Sequence, residues 1–141
     1  MTTAPKAGTP EAGAPTTELH RWPCLCGAVT CSVSGQMGSI SLCHCGRCRR
    51  RAGHARAFAV APRAAIANAD PVARVRSGCE AERGFRPHCG ASRLWRMDGS
   101  DTRSVAPGRH DAPAGLTSET HILASHTGDC CEIEGDLPRS P

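Results

Sequence analysis

Tyrosine is absent from this 141-residue chain, and Phe and Trp together bring the aromatic content to only 3%. A core built mainly from Ala, Val, Leu and Ile buries less apolar area per residue than an aromatic-rich one. Crosslinks would then matter more to stability than in a well-filled domain of this length. Long apolar runs are missing too. No stretch approaches the ~20 apolar residues of a membrane-spanning helix, so no membrane association is expected. The first eighteen residues lack the apolar segment of a secretory signal. Charge of one sign is scarce: the net charge is +4, and only Arg47, Arg49, Arg50 and Arg51 form a basic run. That run reads as an anion contact or as a solvated face that offsets nearby negative charge. Without interleaved aromatics to stack bases, nucleic acid is disfavoured as a partner.

What the chain has is cysteine, ten residues in all. With no signal segment, a reducing cytoplasmic setting is expected, where clustered cysteines bind metal more often than they pair. The densest stretch is Cys43-His44-Cys45-Gly46-Arg47-Cys48. Disulfides between thiols this close would need strained loops, whereas zinc accepts several thiolates from one tight turn. The competing reading is a set of unmetallated or redox thiols. Three protein ligands with an open fourth position are typical of catalytic zinc, so the cluster is a candidate reaction centre. His44 would close the site, except that in an extended segment it points away from its two neighbours. Cys24-Leu25-Cys26-Gly27 is a second C-x-C unit, a weak signal alone.

Residues 1–18, rich in Pro, Ala and Thr, read as a disordered tail; residues 19–141 read as one zinc-binding domain. Val29, Cys31 and Val33 alternate with small polar residues, which predicts a half-buried strand with Cys31 in the core. Short strands are also expected at Ile40–Leu42, Ala55–Ala61 with Phe58 and Val60 on one face, Val72–Arg76, around Leu94–Met97, Ser104–Ala106 and Thr120–Ala124. A last one is expected at Cys131–Glu134. The arginine run predicts a helical turn closed by Gly53, and Pro71 marks a turn. Arg86-Pro87-His88-Cys89-Gly90 reads as a knuckle. Cys79, Cys130 and Cys131 read as free thiols, His20, His54, His110 and His126 as surface residues, and His121 as a satisfied buried histidine. Many short strands with Gly/Pro turns and little helix predict a mainly β fold.

The ordered set CLCGAV, CHCGRCRR, AERGF followed by Cys89-Gly90, and a strand with Leu94-Trp95 resembles the glutathione-dependent formaldehyde-activating enzymes. That family also includes centromere protein V. The similarity runs from about Trp22 to Leu137. It implies a β-tent of two antiparallel sheets built from short strands around zinc–thiolate sites. It also implies a carbon–sulfur lyase reaction that adds glutathione, or a similar thiol, to a small aldehyde such as formaldehyde. By the resemblance, Cys43, Cys45 and Cys48 match the ligands of the catalytic zinc, and Cys24, Cys26 and Cys89 match three of the four ligands of a structural zinc. The alternative is a non-catalytic zinc module for a protein or nucleic-acid partner, as the centromere protein branch suggests.

The chain departs from that pattern at Arg86, where the first cysteine of a C-x-x-C knuckle would fall. A guanidinium has no lone pair to offer a metal, and His88 would face away from Cys89 in an extended knuckle. A weakened second site is therefore expected, with no fourth cysteine in reach and Arg86 lying against the thiolates as a counter-charge.

Overall fold

The computed structural model describes residues 19–68, 73–111 and 113–141. The expected tail, the turn at Pro71 and the start of the strand at Val72 lie outside the described residues. Ten strands and one helix organise the rest: β1 Leu19–Pro23, β2 Thr30–Ser34, β3 Ile40–Cys43, α1 Gly46–Ala52, β4 Arg56–Pro62, β5 Ile66–Ala67, β6 Ala73–Arg76, β7 Ala81–Phe85, β8 Ser92–Met97, β9 Thr102–Val105 and β10 Ser118–Ile122.

They form two sheets. The smaller has the order β1-β2-β5, and the larger has the order β10-β3-β4-β9-β8-β7-β6. The mainly β, two-sheet architecture is as expected, with one difference. β10 joins β3 in parallel, so the larger sheet is mixed. Residues 44–117 separate these two strands, ample for the crossover that parallel pairing requires.

The core lies between the sheets. Trp22, Cys31 and Val33 from the smaller sheet pack with Ala59, Ala61 and Val105 from the larger, and Ile66 and Leu94 fill in around them. Alternation explains the first part: on β2, Cys31 and Val33 point inward while Ser32 and Ser34 face out. Phe58 and Val60 do share one face of β4, but they are half-buried. The inward face belongs to Ala59 and Ala61, both fully buried. Small alanines on β4 leave room for the bulk of Trp22, whose indole N–H donates to the Ala106 carbonyl at 2.8 Å.

Two expectations need correcting. His20 is buried rather than on the surface, and its ring sits 5.7 Å from Trp22 and 5.4 Å from His110. His110 in turn packs edge-on against Trp22 at 4.9 Å. In a chain with few aromatics, imidazoles complete the shell of the buried Trp22 ring. No strand forms at Cys131–Glu134; instead Arg139, farther along the chain, makes an isolated parallel bridge to His121 of β10. Cys131 is buried and Ile133 half-buried while Glu132 and Glu134 are exposed, so the segment alternates as expected but pairs with no neighbouring strand among the described residues.

Candidate metal centre

Cys43 ends β3, held between Ile122 of β10 on one side and Arg56 of β4 on the other by strand register. The chain then turns into α1. Cys45 is the N-cap, in extended conformation, and its Sγ accepts a hydrogen bond from the Cys48 N–H at 3.3 Å. A capping residue normally uses a side-chain oxygen for this role; here a sulfur does it. Cys48 lies in the first turn and is buried. At the other end Gly53 takes φ +78°, and its N–H closes onto the Arg49 carbonyl at 2.7 Å, the left-handed cap that glycine adopts without a Cβ clash. The strand end and the helix turn bring the sulfurs of Cys43, Cys45 and Cys48 within 4.8 Å of one another.

The electrostatics around these sulfurs are uneven. The Cys48 thiol is pulled down to about 5, first by a hydrogen bond from Cys43 and then by Arg83, whose Nη2 donates to Cys48 Sγ at 3.4 Å. Cys43 moves upward, because its thiol donates a hydrogen bond to Cys48 and is buried. Arg83 Nε donates to Ser77 Oγ at 2.8 Å, which fixes the guanidinium against the cluster.

His44 does point away from the three sulfurs. Its Nε2 lies 2.8 Å from Nδ1 of His121, so one of these nitrogens carries the proton and the other accepts it. Both rings are buried, and burial holds both below the usual imidazole range. His121 is the satisfied buried histidine expected. The parallel β3–β10 pairing makes the contact possible, since it puts His121 opposite Leu42 and Ile122 opposite Cys43.

Cys24, Cys26 and Cys89 form a second three-thiol group, again within 4.8 Å, with 3.4 Å between the Cys24 and Cys26 sulfurs. Cys24 is lowered to about 6, chiefly by the Val29 N–H, which donates to its sulfur at 3.4 Å. Cys89 is lowered by the Ala91 N–H. This group is more open than the first, with Cys26 exposed and Cys89 half-buried. Among the described residues no fourth Cys, His, Asp or Glu joins it. Arg86 starts the knuckle, its N–H donating to the Ala91 carbonyl at 2.9 Å, but its side chain makes no hydrogen bond to the thiols, and its Nε is buried without a partner. Arg109 lies close by, its guanidinium donating to the backbone carbonyls of Pro23 and Ser92 and feeling the thiols of Cys31, Cys24 and Cys89. The contact expected of Arg86 with the thiolates is not made.

The remaining cysteines stay apart from both groups. Cys31 is in the core, Cys79 and Cys130 are exposed, and Cys131 is buried with its sulfur 4.0 Å from His54 Nδ1. In the arginine run, Arg49 lies against Gly128, Arg50 is exposed, and Arg51 stacks over Phe85 at 5.4 Å. The guanidiniums at the first cluster come from elsewhere, Arg83 and Arg56. Sequence reasoning missed both. The available signal was an arginine on the apolar face of β7, two residues from Ala81 and Phe85.

Fold and site together define a mainly β protein with two three-thiol groups able to hold metal ions. The family model for glutathione-dependent formaldehyde-activating enzyme matches residues 20–126, and the chain belongs to that family. No curated protein matches the sequence. Among the described residues no helix is long and apolar enough to cross a membrane.

Proposed function

We propose that this chain is a zinc-dependent carbon–sulfur lyase, a reading supported by its membership of the glutathione-dependent formaldehyde-activating family and by its two three-thiol groups. It joins a glutathione-like thiol to a small aldehyde such as formaldehyde, and in reverse it breaks that carbon–sulfur bond. The observation that carries the reading is the convergence of Cys43, Cys45 and Cys48 within 4.8 Å on a strand end and a helix turn. The donor set fits zinc: three sulfurs, two of them receiving N–H hydrogen bonds, from Cys48 N–H and Arg83. When bound, zinc held by three thiolates supplies Lewis-acid polarisation and a lowered thiol pKa at its remaining position.

The chain's own residues do the rest. Cys43, Cys45 and Cys48 would hold the metal, and Arg83 orients Cys48 through its hydrogen bond to the sulfur. Burial of Cys43, Cys48 and His44 limits water around the sulfurs. In the addition, a sulfur lone pair forms the carbon–sulfur bond, the carbonyl π bond opens onto oxygen, and the thiol proton ends on that oxygen. Cys24, Cys26 and Cys89 take the structural role, without their fourth ligand. Ten free thiols suit a reducing cytoplasmic compartment.

The test is metal analysis of the purified protein with and without Cys45→Ser, paired with adduct-formation kinetics. The reading requires zinc loss in the variant and a saturable rate that vanishes on chelation while the fold persists. Rates equal to the uncatalysed background at every thiol concentration would overturn it in favour of a non-catalytic zinc module.

A further inference from the structure

Two guanidiniums are buried beside the first cluster. Arg83 is 7% exposed and Arg56 is 9% exposed. Buried charges are ordinarily paired with opposite charge. Among the described residues ion pairs to carboxylates are made by Arg76 and Arg96, and neither Arg56 nor Arg83 has one. The acidic groups that Arg56 feels are the thiols of Cys48 and Cys43, and the other groups are the cations Arg83 and Arg51. Arg83 gives Nε to Ser77 and Nη2 to Cys48, which leaves Nη1 buried with no partner.

The charge count of the loaded site follows. Three thiolates and one divalent cation sum to a single negative charge, and two guanidiniums exceed it by one. A metal-loaded centre of this composition therefore holds one uncompensated buried positive charge, and a donor N–H without an acceptor. A neutral occupant of the remaining position, water or a protonated thiol, leaves both as they are. An anionic occupant cancels the charge.

The geometry points to Arg83, supported by Arg56, as a specificity-determining pair that selects the thiolate form of the substrate over neutral ligands. The inference rests on the metal-centre reading proposed above and deepens it. The arginines respond to the charge on sulfur, whatever else the thiol carries. They are positioning residues, because they act through the charge of the site and break or form no bond.

The experiment uses full-length protein loaded with cobalt(II), in which the sulfur-to-cobalt charge-transfer absorption that is lost in Cys45→Ser reports the first three-thiolate centre, apart from the second group, and the ligand-field bands report an added ligand. The probes are 2-mercaptoethanol, a thiol with no carboxylate, glutathione, and imidazole as a neutral ligand. Arg83→Met is expected to weaken 2-mercaptoethanol and glutathione binding together by about 10–100-fold, the scale of a charge-assisted hydrogen bond. Imidazole affinity should stay within about twofold, and Arg83→Lys, which keeps the charge but not the fork, should restore part of the thiol affinity. Arg56→Met is read by the same criterion and serves if Arg83→Met does not fold.

A parallel loss of imidazole affinity would show a merely structural role and overturn the inference. So would unchanged thiol affinity. Loss of glutathione binding with 2-mercaptoethanol unaffected would assign the arginines to a substrate carboxylate instead. Absence of the charge-transfer bands in wild-type protein would overturn the metal reading itself, a failure distinguishable from the others.

Discussion

Replacing Arg86 by cysteine should convert the second thiol group from a weak metal site into a tight one. The knuckle is already built. Residue 86 is tied to Ala91 through its N–H at 2.9 Å, its carbonyl accepts the Gly90 N–H at 2.7 Å, and Cys89 sits three residues on with its partners Cys24 and Cys26. A fourth sulfur at residue 86 would complete the four-cysteine set of a closed structural zinc site. Two terms add. Removing a guanidinium with a buried, unpartnered Nε relieves roughly 1–3 kcal/mol. Metal bound only by the folded chain adds RT ln(1 + [Zn]/Kd), about 2.7 kcal/mol when free zinc is a hundred times Kd. For a chain of this length each kcal/mol moves Tm by about 3–5 °C, so the zinc-dependent part alone is worth roughly 8–13 °C. The assay is zinc content after dialysis against a weak chelator, followed by thermal melts with and without added zinc. About one tightly held zinc is expected in the natural chain and about two in Arg86→Cys. Two tight zincs in the natural chain, or no zinc-dependent gain in the variant, would refute the argument.

Other outcomes follow from single residues. Trp22→Ala empties the centre of the core and should cost about 3–5 kcal/mol by urea unfolding; a loss under 1 kcal/mol would mean the sheets close over the gap. His121→Ala leaves both ring nitrogens of His44 without a partner and should destabilise by roughly 1–3 kcal/mol. Substitution by Gln, which keeps a hydrogen-bonding group, should recover part of that loss. Glu82 pairs with Arg96 at 2.6 Å and with Arg76 at 3.5 Å, and Arg96 first of all holds its carboxyl below the usual value of 4.5. A depressed folded-state pKa contributes stability that is present above the unfolded value and lost as pH falls through the folded one. Urea midpoints should therefore drop less on acidification for Glu82→Gln than for the natural chain; equal slopes would show the pair to be silent.

The parts of the site legible in the sequence were those made locally. Cys43, Cys45 and Cys48 lie on one turn, so their spacing already limited where the sulfurs could go. Gly53 likewise marked the end of α1 through a backbone conformation that depends on its own residue type. The charged residues around the cluster were not legible, because register put them there. Arg56 meets Cys43 only through antiparallel β3–β4 pairing, and Arg83 arrives from a hairpin distant in sequence. His44 was rightly turned from the sulfurs by alternation, yet its partner depended on a parallel strand that hydropathy does not indicate. Cys24, Cys26 and Cys89 converge by tertiary folding, and the family likeness, not their spacing, suggested it. His20 and His110 were misassigned to the surface because polarity alone says nothing of a nearby indole.

The two thiol groups also differ in how far apart their members lie along the chain, and that difference bears on folding. Cys43, Cys45 and Cys48 are near enough to grip a metal ion in an unfolded polypeptide, so metal there favours the native state by less than its native affinity implies. Joining Cys24 and Cys26 to Cys89 encloses the chain from residue 27 to 88 in a loop, and closing it in a disordered chain carries a large entropic cost. An ion on that group can distinguish folded from unfolded protein far more sharply. The group spread along the chain is thus the one whose occupancy would act most strongly as a fold clamp, while metal at the local trio would be able to load before the sheets assemble.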